Sequence, residues 1–365
     1  MQRSTSMVGA ALVALAAGCG ARTGLETFGA GPGSSPDAGV DADAALDGPC
    51  ACPAGQSCVD GGCVATGPSG VVVLGWEGVS APNFLSSTWG WDGTSWTQKD
   101  VASPQPARDN ASMARLNGVA VLFGGSALAP ASGLLGETWT YDDHSWTQRS
   151  VGSGPINRES AAMATLGDTV VLFGGITSKG ANDETWTWNG ATWTKLDVPG
   201  PSARGKPAMA TLGDEAILFG GKNESIAVRG GTMFGDTWTW DGSRWKQLDV
   251  QGPSARAGAS MAMLDGKLVL YGGLDASGTT LGDTWTWDGT AWTQLAVAGP
   301  ITPHGLFPMP NLVATLDGAV VFYAAAQSGD SSATWTWDGA SWTMLAAVGP
   351  NLLEGPYQSA AMSAW

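Results

Sequence analysis

The chain has 365 residues, enough for one large domain or two ordinary ones, and 43% of them are hydrophobic, which excludes disorder over most of its length. Charged residues reach only 13% while Gly numbers 54, so long exposed helices are excluded and turns must be frequent. With 17 Lys+Arg against 32 Asp+Glu the net charge is −15, which repels nucleic acid and anionic lipid surfaces. Nineteen Trp against two His points to a repeated aromatic packing role and leaves little imidazole for metal or acid–base chemistry.

Residues 1–19 read as a targeting segment. Arg3 supplies a basic start, and the apolar run 7–17 is too short to span a bilayer, where about 20 residues are needed. The run ends in Leu15-Ala16-Ala17-Gly18-Cys19, which resembles a bacterial lipobox with Leu one place early. Cys19 is then the lipidated N-terminus, and the protein is an extracytoplasmic, membrane-anchored lipoprotein of the periplasm or cell surface. An ordinary secretory signal with a chance Cys is the alternative. Residues 20–49 are rich in Gly, Ala, Ser, Pro and Asp and read as a flexible tether holding its cargo on the order of 30 Å from the anchor.

Residues 50–67 contain Cys50, Cys52, Cys58 and Cys63, an even cluster within fourteen residues. In an exported chain this suggests two disulfides. A Cys50–Cys52 bridge would be badly strained, so each of these is expected to pair with Cys58 or Cys63. A zinc site is the rival, opposed by the oxidising compartment and the lack of nearby His.

From residue 68 onward the chain repeats itself. Thr-Trp-x-[Trp/Tyr]-x4-Trp occurs six times, as Trp89/Trp91/Trp96, Trp139/Tyr141/Trp146, Trp186/Trp188/Trp193, Trp238/Trp240/Trp245, Trp285/Trp287/Trp292 and Trp335/Trp337/Trp342, the first Trp recurring at intervals of 50, 47, 52, 47 and 50 residues. The aromatic pair at i and i+2 lies on one face of a strand. Asp-Gly or Asn-Gly follows in every copy except the second, which has Asp142-Asp143, and a type I′ turn there is expected to lead the third Trp into a hairpin partner. Upstream lie an aliphatic strand ending in a glycine doublet and, before it, a small-residue strand such as Ser160-Ala161-Ala162-Met163-Ala164. Small side chains suit the crowded centre of a radial array.

A period near 50 with this grammar resembles the kelch repeat, whose family fold is a β-propeller of four-stranded blades. The resemblance covers about four-fifths of the chain. The Trp-Asp pairs bring to mind the WD repeat, but the period is too long and its Gly-His signature is missing. The first copy starts at its second strand, Val71-Val72-Val73-Leu74, and the chain stops after a first strand ending in Trp365. The fold expected for 68–365 is therefore an all-β, six-bladed kelch-type propeller whose C-terminal strand closes blade one. Each buried Trp removes about 150–250 Å² from water, on the order of 4–6 kcal/mol as an upper bound, so the motif tryptophans are read as inter-blade packing.

In the kelch family, the loops entering each first strand and those after the glycine doublets share one face. Here the entering loops carry Arg108, Arg158, Arg204 and Arg256, each fourteen residues before the equivalent second-strand Leu, with Pro308 and Tyr357 in the other two positions. A partial arginine ring can hold carboxylates or sulfates, although an Arg here also serves loop anchoring in the family. Trp76, in place of a doublet glycine, and His304, in a fifth entering loop with a four-residue insertion, complete the candidate ligand-binding set.

No catalytic residue, cofactor or metal is assigned. Galactose oxidase-like copper chemistry needs a Tyr–Cys cross-link and two His ligands, whereas the repeats hold no Cys and only His144 and His304, in different blades. Asp183, Glu184 and Asp283 are too scattered to argue for iron. The expected function is a monomeric, non-catalytic scaffold that binds a protein or glycan through propeller-face loops and touches the membrane only through its anchor. The alternatives are an enzyme on an acidic sugar, similar to sialic-acid mutarotases, with Arg158, Glu159 and His304 at one mouth, or a structural or adhesive envelope component.

Overall fold

The computed structural model describes residues 56–59, 62–65, 71–77, 85–104, 106–127, 132–223, 231–300, 313–324, 333–345 and 361–364. Cys19, Cys50, Cys52, the tether, His304, Pro308 and Tyr357, singled out in the sequence, lie outside these residues. Cys58, Cys63 and Trp76 are placed by backbone alone. Gln56–Val59 and Gly62–Ala65 form a hairpin with Cys58 opposite Cys63.

Beyond that hairpin the described chain is all β, and its main feature is a repeated four-stranded antiparallel sheet. Sheet two runs Ser112–Leu116, Val119–Phe123, Thr138–Tyr141 and Trp146–Arg149, each strand paired with the next in sequence. Sheets three, four, five and six repeat this meander from Ala162–Leu166, Ala208–Leu212, Ser260–Leu264 and Val313–Leu316. Sheet one combines Val71–Glu77, Leu85–Trp91 and Trp96–Gln98 with the distant Ala361–Ala364, which pairs antiparallel with Val71–Leu74. The first strands lie side by side, with Ala361–Ala364 between Ser112–Leu116 and Val313–Leu316. This is a β-propeller-like arrangement.

The tryptophan motif explains how the sheets adhere. Within each hairpin the second aromatic faces the third across the ladder, as Trp188 faces Trp193 at 5.4 Å between ring centres. Trp91, Trp188, Trp240, Trp287 and Trp337 are among the most deeply buried side chains. The third Trp leans onto the preceding sheet, where it meets an aromatic of the second strand edge-on: Trp193 on Phe123 at 5.4 Å, Trp245 on Phe173 at 5.2 Å and Trp292 on Phe219 at 5.4 Å.

Its indole N–H is also used. It donates to the motif threonine of the preceding sheet: Trp146 to Thr88 at 2.8 Å, Trp193 to Thr138 at 2.8 Å, Trp245 to Thr185 at 2.9 Å, Trp292 to Thr237 at 3.0 Å and Trp342 to Thr284 at 2.9 Å. Trp96 of sheet one donates to Thr334 of sheet six at 2.8 Å. The invariant Thr of the repeat is thus an acceptor for a neighbour some 55 to 60 residues onward in the middle copies.

The hairpin turn differs from the sequence expectation by one residue. Trp91 pairs with Trp96, Asp92 N donates to Ser95 O, and only Gly93 has positive φ (97°), so the two loop residues are Gly93 and Thr94. Positive φ at one central position alone is incompatible with type I′, which needs it at both. The cause is the Asp92 carboxylate, which accepts from the N–H groups of both Thr94 and Ser95 and so occupies the flanking position. In the second copy Asp143 takes the glycine's place at φ 73°.

Candidate functional site

The loops entering the first strands and those leaving the second strands meet on one face, and the four arginines sit at their junction. Arg108, Arg158, Arg204 and Arg256 are all 3% exposed or less. Arg158 donates through Nε to Ile156 O at 3.0 Å, through Nη1 to Gly174 O at 3.0 Å, and through Nη2 to Glu184 at 2.5 Å. Arg204 makes the same set with Ser202 O, Gly220 O and a two-pronged pair to Asp236 at 2.6 and 3.0 Å. Arg256 repeats it with Ser254 O, Gly272 O and Asp283 at 2.6 and 2.8 Å. Arg108 reaches Gly124 O at 3.1 Å and Glu137 at 2.9 Å, but its Nε and Nη2 are buried without a partner.

Each carboxylate sits two residues before the first Trp of its repeat. In three sheets it also accepts from that indole: Trp186 to Glu184 at 3.1 Å, Trp238 to Asp236 at 2.7 Å and Trp285 to Asp283 at 2.7 Å. Burial opposes ionisation of Glu184, but the bonds from Lys195, Arg158 and Trp186 outweigh it and hold its carboxyl at about 2. Asp236 and Asp283 are likewise held below the usual range, where the arginine and indole bonds overcome burial.

While the guanidinium binds its own sheet, the arginine backbone binds the preceding one. Arg158 N donates to Leu135 O at 3.0 Å and Arg158 O accepts from Gly125 N at 2.9 Å. Arg204 and Arg256 do the same with Asn182 and Gly175, and with Phe234 and Gly221. The glycine doublet is needed for this contact. Gly124 has φ 68°, and a Cβ there would stand 2.5 Å from Arg158 O. The arginines therefore act as rivets between successive sheets.

This arrangement follows the repeats within the chain. The four with Arg carry Glu137, Glu184, Asp236 or Asp283; the two with Pro308 and Tyr357 carry Ala333 and Ser87 at the acid position. Trp335, two residues after Ala333, has its indole N–H buried without a partner. Sequence reasoning found the arginines but set Glu184 and Asp283 aside as scattered carboxylates and did not pair the acids with them, although the matching absence was visible by aligning the repeats on the first Trp.

Beside the rivets, a second chain of contacts circles the inner edge. Asn110, Ser160 and Lys206 have φ between 52° and 56°, and each donates or accepts a backbone bond to the next sheet: Ser160 N to Asn110 O, Lys206 N to Ser160 O and Gly258 N to Lys206 O, at 2.8–2.9 Å. Asp109 lies here, 6% exposed, with Oδ1 unpartnered. Burial and the Glu159 charge push its carboxyl up to about 7, against the pull of Lys206 and Asn110. Below about pH 4 folded and unfolded states both carry the proton. Between about 4 and 7 only the folded state keeps it, so this group's contribution to stability falls as pH rises. Asp109→Asn is expected to leave the urea midpoint unchanged near pH 4 and to stabilise at pH 8 by on the order of 3–4 kcal/mol. Equal effects at both pH values would show that Asp109 is ionised in the fold.

His144 is exposed in its hairpin turn. Among the described residues no three of His, Cys, Asp and Glu are grouped to hold a metal. No protein-family model matches the chain, and no curated protein matches it.

Proposed function

We propose that residues 68–365 form a six-bladed, kelch-type propeller closed by Ala361–Ala364, and that it works as a non-catalytic scaffold binding a protein partner through its loop face, held outside the cytoplasm by a lipid on Cys19. The ring reading is supported by the Trp96–Thr334 bond, the Tyr323–Trp96 contact at 5.5 Å and the pairing of Val71–Leu74 with Ala361–Ala364, all joining the two ends of the repeat array.

One observation carries the binding reading. The rivets fix the bases of loops whose tips differ between copies, as in 126–136, 222–235 and 274–282. A rigid base under a variable tip is the usual design of a recognition surface. A protein partner is favoured over a glycan because Ile156, two residues before Arg158 in an entering loop, is an exposed large apolar side chain and not an aromatic stacking platform.

The test replaces loop 274–282 with the sequence of 176–183 in the full chain. The expected result is unchanged melting with loss of a partner captured by the parent from envelope extracts. Glycan-array binding that the swap abolishes would assign a glycan instead. Anomer exchange of N-acetylneuraminate catalysed by the parent would overturn the non-catalytic reading in favour of the acidic-sugar enzyme. Release of Cys19-linked acyl chains on mild base treatment would not be seen if the anchor were absent.

A further inference from the structure

Five of the six first strands carry a Met among small residues, and the first strands together line a cavity of about 280 Å³. Met113, Met163, Met209, Met261 and Met362 line it from equivalent positions on five strands. Each is 3–8% exposed. An apolar cavity of about 150 Å³ holds a benzene molecule, so this space takes an aromatic ring with a short side arm. Flexible, polarisable thioethers conform to such a ring and favour its edge.

The cavity is not uniformly apolar. Near the end of the strands the same ring position carries Arg115, Thr165, Thr211, Met263 and Thr315, all of which line it. Thr165, Thr211 and Thr315 hydroxyls donate to the carbonyls of Arg115, Thr165 and Met263 on the neighbouring strands, so they are committed to the wall. Arg115 is different. Its Nε is buried without a partner, and it enters none of the ion pairs among the described residues. In a chain with 32 acidic residues, a guanidinium lining the axis without a carboxylate keeps its outer Nη1 and Nη2 edge for a ligand, while the buried Nε lies out of a ligand's reach.

We infer that the axial cavity binds a small amphiphilic carboxylate, its apolar body among the five methionines and its carboxylate bridged by Arg115. A planar guanidinium offers two parallel N–H donors to one carboxylate, which sets the ligand's orientation along the axis. This site is separate from the loop face and stands whether or not that face binds a protein.

The test titrates 3-phenylpropionate and its neutral counterpart 3-phenylpropionamide into the full chain by calorimetry, with methionine methyl groups followed by NMR. The carboxylate is expected to bind at least tenfold more tightly than the amide, with shifts in the cavity methionine methyls. Arg115→Met is expected to remove that preference while amide binding and melting remain. If Arg115→Met fails to fold, Arg115→Lys is expected to weaken the carboxylate severalfold and to spare the amide. Equal affinity for the two probes, binding without methionine shifts, or no binding of the carboxylate would each overturn the inference.

Discussion

Deleting residues 358–365 is expected to unfold the propeller rather than trim it. The deletion removes the strand Ala361–Ala364 and its four paired positions with Val71–Leu74. It also removes Met362, 3% exposed, from a cluster with Trp91, Trp96, Leu316 and Tyr323. A buried Met costs about 2–5 kcal/mol when deleted, and each net ladder bond contributes about 1 kcal/mol. The sum is on the order of 6–9 kcal/mol, comparable to the whole stability of a typical domain at about 5–15 kcal/mol. Near-UV circular dichroism of the tryptophans is expected to lose its native signal at 25 °C, and a synthetic peptide of residues 358–365 is expected to restore it. A truncated chain that melts cooperatively within a few degrees of the parent would mean that the ring is not closed by this strand.

Arg204→Met is expected to destabilise by about 3–5 kcal/mol, the cost of leaving one partner of a buried ion pair unmatched. Asp236 loses both prongs, the carbonyls of Ser202 and Gly220 lose a donor, and the guanidinium stacked on Phe234 at 3.9 Å disappears. Because the Asp236 side chain retains 20% exposure, water relieves part of the penalty and the lower end of that range is expected. The double change Arg204→Met with Asp236→Leu is expected to recover part of the loss. Urea denaturation decides the matter. An arginine kept for an external anion would instead be neutral or stabilising to remove, so a loss under 1 kcal/mol would return Arg204 to the ligand-binding set.

The sheets were legible in the sequence because their signals are local. Aromatics at i and i+2, a glycine turn and a third Trp define a hairpin within ten residues. What these groups do across sheets was not local. Thr185 accepts from Trp245, sixty residues away, and a threonine beside an aromatic reads as ordinary strand chemistry until the next sheet is in place. The arginines were visible, but their environment depends on acids that lie between 26 and 32 residues further on in the middle copies. The turn shifted by one residue because an Asp side chain competed with the backbone for the amide groups. The axial cavity had no signature in any one strand, since alternating Met and Ala reads simply as small and adaptable packing.

The rivets are unevenly spread. Arg158, Arg204 and Arg256 bind sheet two to three, three to four and four to five, whereas in the sequence the two repeats that supply the sixth and first sheets carry Pro308 and Tyr357 in place of the arginine. An array of sheets joined by unequal contacts yields first at its weakest joint. Opening fluctuations should therefore start beside the sixth sheet, and amide exchange there should outpace exchange in the arginine-bound half.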